Sequence, residues 1–160
     1  MTPEEEVKSI LSGFSDLSSA GYAIGLHLEF TTSKYIFQKY PKPWMDEYTR
    51  RGFLLSDPTV RWGVENLGWA RWSNLTAIDD AGVLSAAAGF GLKYGVSISV
   101  EGCGGRSLGS FASDTQEFSE EAIDMLSSRL SRMHELTAEI DPDTADDRSL
   151  KKLAAAMAHG

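Results

Sequence analysis

Residues 94–113 read YGVSISVEGCGGRSLGSFAS and carry a clear strand–turn–strand signal. Residues 94–100 alternate in polarity and include β-branched side chains, which favours a strand. Residues 102–105, Gly-Cys-Gly-Gly, have the composition of a tight turn. We therefore expect a partner strand within residues 106–113, in a hairpin whose register the sequence leaves open by one residue.

A similar hairpin is predicted earlier in the chain, with strands at residues 22–30 and 35–37 around a polar turn at 31–33. Apolar residues at helical spacing and Asp, Pro and Gly boundary signals predict helices around both hairpins, over residues 4–19, 44–51, 57–67, 79–90 and 118–140. This order predicts an α+β fold, an α-β-α sandwich with a central antiparallel sheet of four or five strands.

The composition is that of one ordinary globular domain. The chain has 160 residues, of which 42% are hydrophobic, enough for a core with a small cavity inside it. Cys103 is the only cysteine, and the three histidines lie far apart in sequence. Neither a disulfide framework nor a zinc site is expected, and a reducing, cytoplasmic location is predicted.

The charge balance argues against direct binding to nucleic acid. There are 23 acidic and 15 basic residues, a formal net charge of −8. Because cations that displace counterions dominate nucleic-acid affinity, we do not expect this chain to bind DNA by itself. The first residues lack the basic and apolar regions of a signal peptide, and no apolar run is long enough to span a membrane.

No motif of an enzyme is apparent. Cys103 lies in the glycine turn without an adjacent base, and that turn precedes a strand, whereas a phosphate-binding loop precedes a helix. We therefore predict a protein that is not an enzyme and that carries no metal or cofactor.

The residues that stand out are Tyr40, Trp44, Tyr48, Asp57 and Trp72. The first three recur every four residues, so a helix beginning near residue 43 places Trp44 and Tyr48 on one face, with Tyr40 just ahead of it. The plain alternative is that the aromatic residues are core and that Asp57 only caps the next helix. Taken one residue at a time, that alternative is the more common outcome.

Taken together, these five residues resemble the autoinducer-binding domain of LuxR-type quorum-sensing transcription regulators. That family has a tyrosine, then a tryptophan four residues on, a second tyrosine four on, an aspartate followed by proline nine on, and a tryptophan fifteen on. All of these spacings occur here, and the resemblance extends through Tyr94 to Ser97 and Leu108 to Ser110. It implies a sensor domain of the PAS or GAF type that binds an N-acyl-homoserine lactone in a buried pocket.

The resemblance also implies a role for each residue. Trp44 would donate its indole N–H to the lactone carbonyl, Asp57 would accept from the ligand amide N–H, and Tyr40 would bond the amide carbonyl. Tyr48 and Trp72 would line the acyl chain and the lactone ring. The chemistry of the side chains agrees, because aspartate offers only acceptors and tryptophan only a donor.

Hydroxyl groups nearby are candidates for binding an oxo or hydroxy substituent on the acyl chain. We expect Ser110 to do so, and Ser97 and Thr59 less firmly, because the register of the second hairpin is open by one residue. Each buried acyl methylene would contribute roughly 0.8 kcal/mol.

The resemblance divides the chain into three segments. Residues 1–140 would be the autoinducer-binding domain and residues 141–149, which are acidic and broken by proline, a linker. Residues 150–160 would begin a helix-turn-helix DNA-binding domain, with too little chain after them to pack against anything; a disordered alanine-rich tail is an equal alternative. The chain would then be either a piece of a longer regulator or a naturally short receptor that forms inactive heterodimers.

Two functions follow from this assignment. The leading hypothesis is a receptor in which lactone binding promotes folding and homodimerisation and controls DNA binding through a further domain. The alternative is an interaction module of the same shape that has lost its ligand and sequesters partner regulators.

Overall fold

The computed structural model describes residues 1–29 and 32–159. Its α-helices are α1 (Pro3–Leu17), α2 (Lys42–Arg50), α3 (Pro58–Glu65), α4 (Val83–Ala88), α5 (Glu120–Thr137) and α6 (Ala145–His159). Its strands are β1 (Gly21–Glu29), β2 (Thr32–Gln38), β3 (Gly68–Arg71), β4 (Tyr94–Gly102) and β5 (Gly105–Ser113). Short 3-10 turns lie at Phe53–Ser56, Trp72–Asn74 and Thr76–Ile78. Phe30 and Thr31, which belong to the predicted first strand and turn, lie outside the described residues.

The sheet is antiparallel throughout, with the strand order β2-β1-β5-β4-β3. The predicted α-β-α sandwich is confirmed. The second hairpin turns at Cys103 and Gly104, whose φ angles of 53° and 79° are those that a tight hairpin turn requires. Its register, left open by the sequence, pairs Ser97 with Ser110 and Ser99 with Leu108.

Two rows of cross-strand neighbours run across the sheet. The serine row consists of Gln38, Ala23, Ser110, Ser97 and Ala70, and the leucine row of Ile36, Gly25, Leu108, Ser99 and Gly68. Alternate residues of a strand share a face, and the two rows are about 7 Å apart along it. Because most of these residues are small, the side chains on this face leave space above the sheet.

Separate hydrophobic clusters cover the two faces of the sheet. One joins α1, α5 and α6 to buried strand residues such as Phe37, Val96 and Phe111. The other lies around Trp44, Trp72 and the α4 region. The small residues of the two rows face this second layer.

His27 interrupts β1. Its φ angle of 56° lies in the left-handed region, and the pairing of β1 with β5 ends two residues earlier, at Gly25. The His27 N–H instead donates to Ser107 Oγ at 3.0 Å. Between Gly25 and Glu29, the last described residue of β1, the strand therefore pairs only with β2.

The two predicted helices that the structure shortens most are those over residues 118–140 and 79–90. The first spans 18 residues, Glu120–Thr137, and begins at Glu120 because Ser119 caps it by accepting the Ala122 N–H. The helix expected over 79–90 has six residues, because Gly82 takes a left-handed φ of 71° just before it. Asp79 still accepts the first helical N–H groups, from Val83 and Leu84.

The sequence pattern predicts no strand at β3. Its four residues are too few for an alternation to be visible, and β3 lies at the edge of the sheet, next to β4. In the part of the chain that the structure describes, the predicted four- or five-stranded sheet has five strands.

The expectation that residues 150–157 have nothing to pack against is wrong. Helix α6 already begins at Ala145, within the predicted linker, and packs against β2 and α1. Leu150 is 0% exposed in the same cluster as α1 and α5. Asp147 accepts a hydrogen bond from Tyr35 Oη at 2.6 Å, which ties the start of α6 to the sheet. The apolar face of the last helix is thus part of this domain's core.

Candidate functional site

A cavity of about 510 Å³ lies between the sheet and the layer formed by α2, α3 and α4. All seven residues predicted for the site line it: Tyr40, Trp44, Tyr48, Asp57, Thr59, Trp72 and Ser110. Ser97, the less firm candidate, lines it as well. The structure therefore brings the whole predicted set together, although its members come from four separate segments of the chain.

Helix α2 presents two of the aromatic residues. Pro41 and Pro43 set the start of the helix, and Trp44 and Tyr48 follow one turn apart with ring centroids separated by 5.7 Å. Trp44 also contacts Phe53 and Phe90, at centroid distances of 5.9 and 5.6 Å. These contacts make Trp44 a core residue and a wall of the cavity at the same time.

Asp57 joins two elements at the cavity. Its Oδ1 accepts from the backbone N–H of Thr59 at 2.9 Å and from the Thr59 hydroxyl at 2.7 Å, so it caps α3 as predicted. Its Oδ2 accepts from Tyr48 Oη at 2.8 Å. The capping role and a place in the cavity are therefore compatible, because each carboxylate oxygen has its own partner.

The two tyrosines remain hydrogen-bond donors. Burial, followed by the charge of Asp57, raises the pKa of Tyr40 and of Tyr48 above the ordinary tyrosine range. Tyr40 Oη donates to the backbone carbonyl of Ser110 at 3.2 Å. Both hydroxyls are thus held protonated beside the carboxylate.

Trp72 lines the cavity where its ring packs against β4 of the sheet. Its ring lies so close to Gly95 that a Cβ there would come within 2.0 Å of Trp72 Cδ2, so only glycine fits beneath it. Its indole N–H donates to Ser97 Oγ at 3.2 Å, and Ser97 Oγ is 3.2 Å from Ser110 Oγ. Hydrogen bonds thus connect the Trp72 indole to Ser97 and, through Ser97, to Ser110.

Trp44 differs from Trp72 in one respect. Its side chain is 3% exposed, yet its indole N–H donates to none of the described residues. Its Nε1 is not among the buried side-chain atoms that lack a partner in the described part of the chain, so this N–H keeps some accessible surface. The polar end of the cavity therefore has a donor available to a ligand, close to a carboxylate that only accepts.

Sequence reasoning missed the apolar end of the cavity. Its lining side chains there include Leu28, Ile36, Leu54, Val60 and Leu108. Two signals were present: Val60 follows Asp57 by one helical turn, and Leu108 precedes Ser110 by two residues on a strand. The Leu108 signal required the register of the hairpin, and the Val60 signal required knowing which face of α3 lines the cavity.

A wider concavity of about 800 Å³ lies outside this site, along α1 and α6. Its rim is charged, with Lys8, Asp16 and Lys39, and Tyr40 is the one predicted site residue that reaches it. The smaller, more apolar cavity is the one that holds the converging polar groups, which is the usual character of a small-molecule site.

Within residues 1–29 and 32–159, no three His, Cys, Asp or Glu side chains are grouped as a metal site would require. None of the helices in this part of the chain is both long and apolar enough to cross a lipid bilayer.

Comparison with known proteins gives a consistent result. The family model of the autoinducer binding domain matches residues 5–137. The transcriptional activator protein VanR of Vibrio anguillarum is 28% identical over 126 residues, which cover 74% of this chain and 52% of VanR. The transcriptional activator protein SolR of Ralstonia nicotianae is 41% identical over 61 residues, which cover 38% of this chain and 26% of SolR. The chain thus spans about half the length of VanR.

Solved structures share the fold. CepR2 of Burkholderia cenocepacia, described as an N-acylhomoserine lactone dependent LuxR family transcription factor, superposes with a TM-score of 0.62 at 19% identity, covering 86% of this chain and 84% of that one. SdiA of Escherichia coli superposes with a TM-score of 0.64 at 22% identity, covering 91% and 67%. At these identities the likeness is one of fold.

Proposed function

Because this chain belongs to the autoinducer-binding domain family of LuxR-type transcription regulators, whose members are signal receptors and not enzymes, we propose that its cavity binds an N-acyl-homoserine lactone. Binding would promote folding and homodimerisation and would control DNA binding through a further domain.

The observation that carries the proposal is the convergence of matched polar groups at one end of an otherwise apolar cavity. A homoserine lactone has one amide N–H and several carbonyl acceptors. Asp57 Oδ2 accepts one hydrogen bond, from Tyr48, and has a further lone pair for the amide N–H. The unpaired Trp44 indole N–H is the donor for the lactone carbonyl.

Tyr40 requires a change of partner in this arrangement. Its single hydroxyl proton goes to the Ser110 carbonyl at 3.2 Å, a long distance for an O–H donor. In the proposed complex the proton turns to the ligand amide carbonyl. Tyr48 and Trp72 line the acyl chain and the lactone ring, with Tyr48 kept in place by its bond to Asp57.

Ser110 is the best candidate for an oxo or hydroxy substituent on the acyl chain. The Thr59 hydroxyl is committed to Asp57, and Ser97 accepts from Trp72. Among the described residues, Ser110 Oγ has Ser97 as its one side-chain partner. It therefore has the most hydrogen-bonding capacity left, ahead of Ser97 and Thr59.

Coupling of binding to folding is supported by where the cavity lies. It separates the sheet from the layer of α2, α3 and α4, and the ligand would fill the space between them. A ligand that binds only the folded state stabilises it by mass action. The matched region covers 52% of the transcriptional activator VanR, which supports a further domain for DNA binding. A cytoplasmic location is part of the same proposal.

The decisive experiment is a thermal melting screen with butanoyl to tetradecanoyl homoserine lactones, with and without a 3-oxo group, and an aryl homoserine lactone. At least one should raise Tm in a dose-dependent manner, because bound ligand stabilises the folded state by RT ln(1 + [L]/Kd). No shift with any lactone, together with no lactone detected by mass spectrometry in gently purified protein, would instead support the ligand-independent partner-sequestering module.

A further inference from the structure

The two elements that carry the polar groups both run toward the apolar end of the cavity. Along α3, Gly63 lies six residues beyond Asp57, about 9 Å at 1.5 Å per residue. Along β5, Leu108 lies two residues from Ser110, about 7 Å away. Gly63 on α3 and Leu108 on β5 both line the cavity, at similar distances from its polar residues.

These two residues are in direct contact. A Cβ built on Gly63 would lie 2.6 Å from Leu108 Cδ2 and 2.9 Å from Leu108 Cδ1, closer than side-chain atoms pack. The Leu108 side chain therefore occupies the volume that any other residue at position 63 would need. It rests against α3 because glycine leaves that volume free.

Helix α3 has little freedom to move away from Leu108. The Gly63 carbonyl accepts from Ser99 Oγ at 3.0 Å and from Arg106 Nη1 at 3.2 Å, and Arg106 also donates to the Val64 carbonyl. Both donors belong to the β4–β5 hairpin, which also carries Leu108. A larger residue at position 63 therefore displaces the flexible leucine and leaves the helix in place.

The other side of Leu108 faces the cavity, which this half-buried side chain lines. One cross-strand neighbour of Leu108 is Gly25, which has no side chain. Ser33 and Leu28 lie over Gly25, with Ser33 Oγ 2.8 Å and Leu28 Cδ2 3.9 Å from the place of a Cβ there, and both residues also line the cavity. When Leu108 is displaced from α3, it moves into the cavity.

We propose that the contact between Gly63 and Leu108 sets the length of the acyl chain that the cavity admits, and that this chain selects lactones whose acyl group extends past Leu108. This inference rests on the proposed function. Gly63 lets the Leu108 side chain rest against α3, which keeps the cavity open past Leu108. When Leu108 is displaced from α3, its side chain narrows the cavity.

The test measures Kd for butanoyl, octanoyl and dodecanoyl homoserine lactone by quenching of tryptophan fluorescence. Each methylene excluded from the cavity weakens binding about fourfold. We expect wild type to bind the dodecanoyl compound most tightly. Gly63→Ala should lose about fifteenfold for that compound, as for about two excluded methylenes, and less than about twofold for the butanoyl compound.

Two further variants separate this mechanism from a general loss of stability. Gly63→Ala combined with Leu108→Ala should recover the dodecanoyl affinity, and Leu108→Ala alone should improve tetradecanoyl binding relative to octanoyl binding. Gly89→Ala, whose Cβ would meet only Ala86 O at 3.3 Å, is the matched control and should leave the length profile unchanged.

The outcomes are distinguishable. If wild type binds lactones but Gly63→Ala weakens all lengths equally, or none, the length-setting role is wrong while the proposed function stands. The same conclusion follows if Leu108→Ala alone leaves the preference between chain lengths unaltered. If wild type binds no lactone of any length, the proposed function fails, and this inference fails with it.

Discussion

Tyr48 Oη donates a hydrogen bond to Asp57 Oδ2 at 2.8 Å across the cavity's polar end. One partner lies on α2 and the other caps α3, so a single bond joins the two helices that enclose the site. The carboxylate is held by Thr59 on its other oxygen. The connection between α2 and α3 and the proposed binding of the ligand therefore both depend on the Asp57 side chain.

Replacement of Asp57 by Asn should weaken lactone binding by roughly tenfold to a hundredfold, the loss expected for a hydrogen bond to a charged group. With the amide oxygen capping α3, the amide NH₂ faces both Tyr48 and the ligand N–H, where only acceptors fit. Titration calorimetry measures the loss. Ser119→Ala, which removes the cap of α5 on the opposite face of the sheet, is the control and should keep wild-type affinity. Equal affinity of Asp57→Asn and wild type would contradict the assignment.

Replacement of Trp44 by Phe should separate ligand binding from stability. The indole N–H has no partner among the described residues, so its removal should change the ligand-free Tm little, while lactone affinity falls about threefold to tenfold. Trp72→Phe, by contrast, removes a donor that Ser97 accepts and should lower the ligand-free Tm. Trp69→Phe, outside the cavity, serves as the control for aromatic substitution. The assignment of Trp44 is wrong if its variant binds lactones as tightly as wild type.

Stability should depend on pH through His27. Burial, followed by the charges of His134 and Lys34, lowers the pKa of His27 to about 4. The unfolded chain, with a pKa near 6.5, therefore takes up the proton first as the pH falls. The contribution of neutral His27 is complete above about pH 6.5 and is lost toward pH 4. Because His27 is only half-buried, solvent screening keeps this loss to about 1–2 kcal/mol of unfolding free energy.

The hydrogen bonds around His27 give the structural reason. The Thr137 hydroxyl donates to the Met133 carbonyl, so His27 Nε2, 2.8 Å from it, must carry the proton in the neutral ring. The ring stacks on His134 at 4.4 Å, which disfavours a second charge. His27→Asn is the suitable variant, because Asn tolerates the left-handed φ at this position. Urea unfolding at several pH values should show that the unfolding free energy of wild type falls relative to that of the variant as the pH is lowered. Parallel pH profiles for the two proteins would contradict this role.

Helix α6 should contribute to the stability of this domain. Leu150→Ala removes a fully buried side chain and should cost about 2–5 kcal/mol, whereas Lys152→Ala, on the exposed face of the same helix, should cost little. Chemical denaturation measures both. Near-identical midpoints for the two variants would show that the packing of α6 is not part of the cooperative unit.

Much of the site was predictable because its determinants are local. The four-residue spacing places Trp44 and Tyr48 on one helical face, and Asp57 before Pro58 is a helix-start signal that the structure confirms. The sequence alone also predicted the order of α1 to α5 and of both hairpins, since apolar periodicity and turn composition act over a few residues, but it missed β3 and the start of α6. The ligand-binding roles of these side chains stay predictions.

The tertiary structure decided what depends on distant parts of the chain. The register that places Leu108 beside Gly25, the contact of Leu108 with Gly63, and the burial of Leu150 against the sheet all join residues far apart in sequence. A local pattern records which side of an element is apolar, but it carries no information on which partner covers that side. The depth of the cavity and the place of the last helix therefore followed only from how the elements pack.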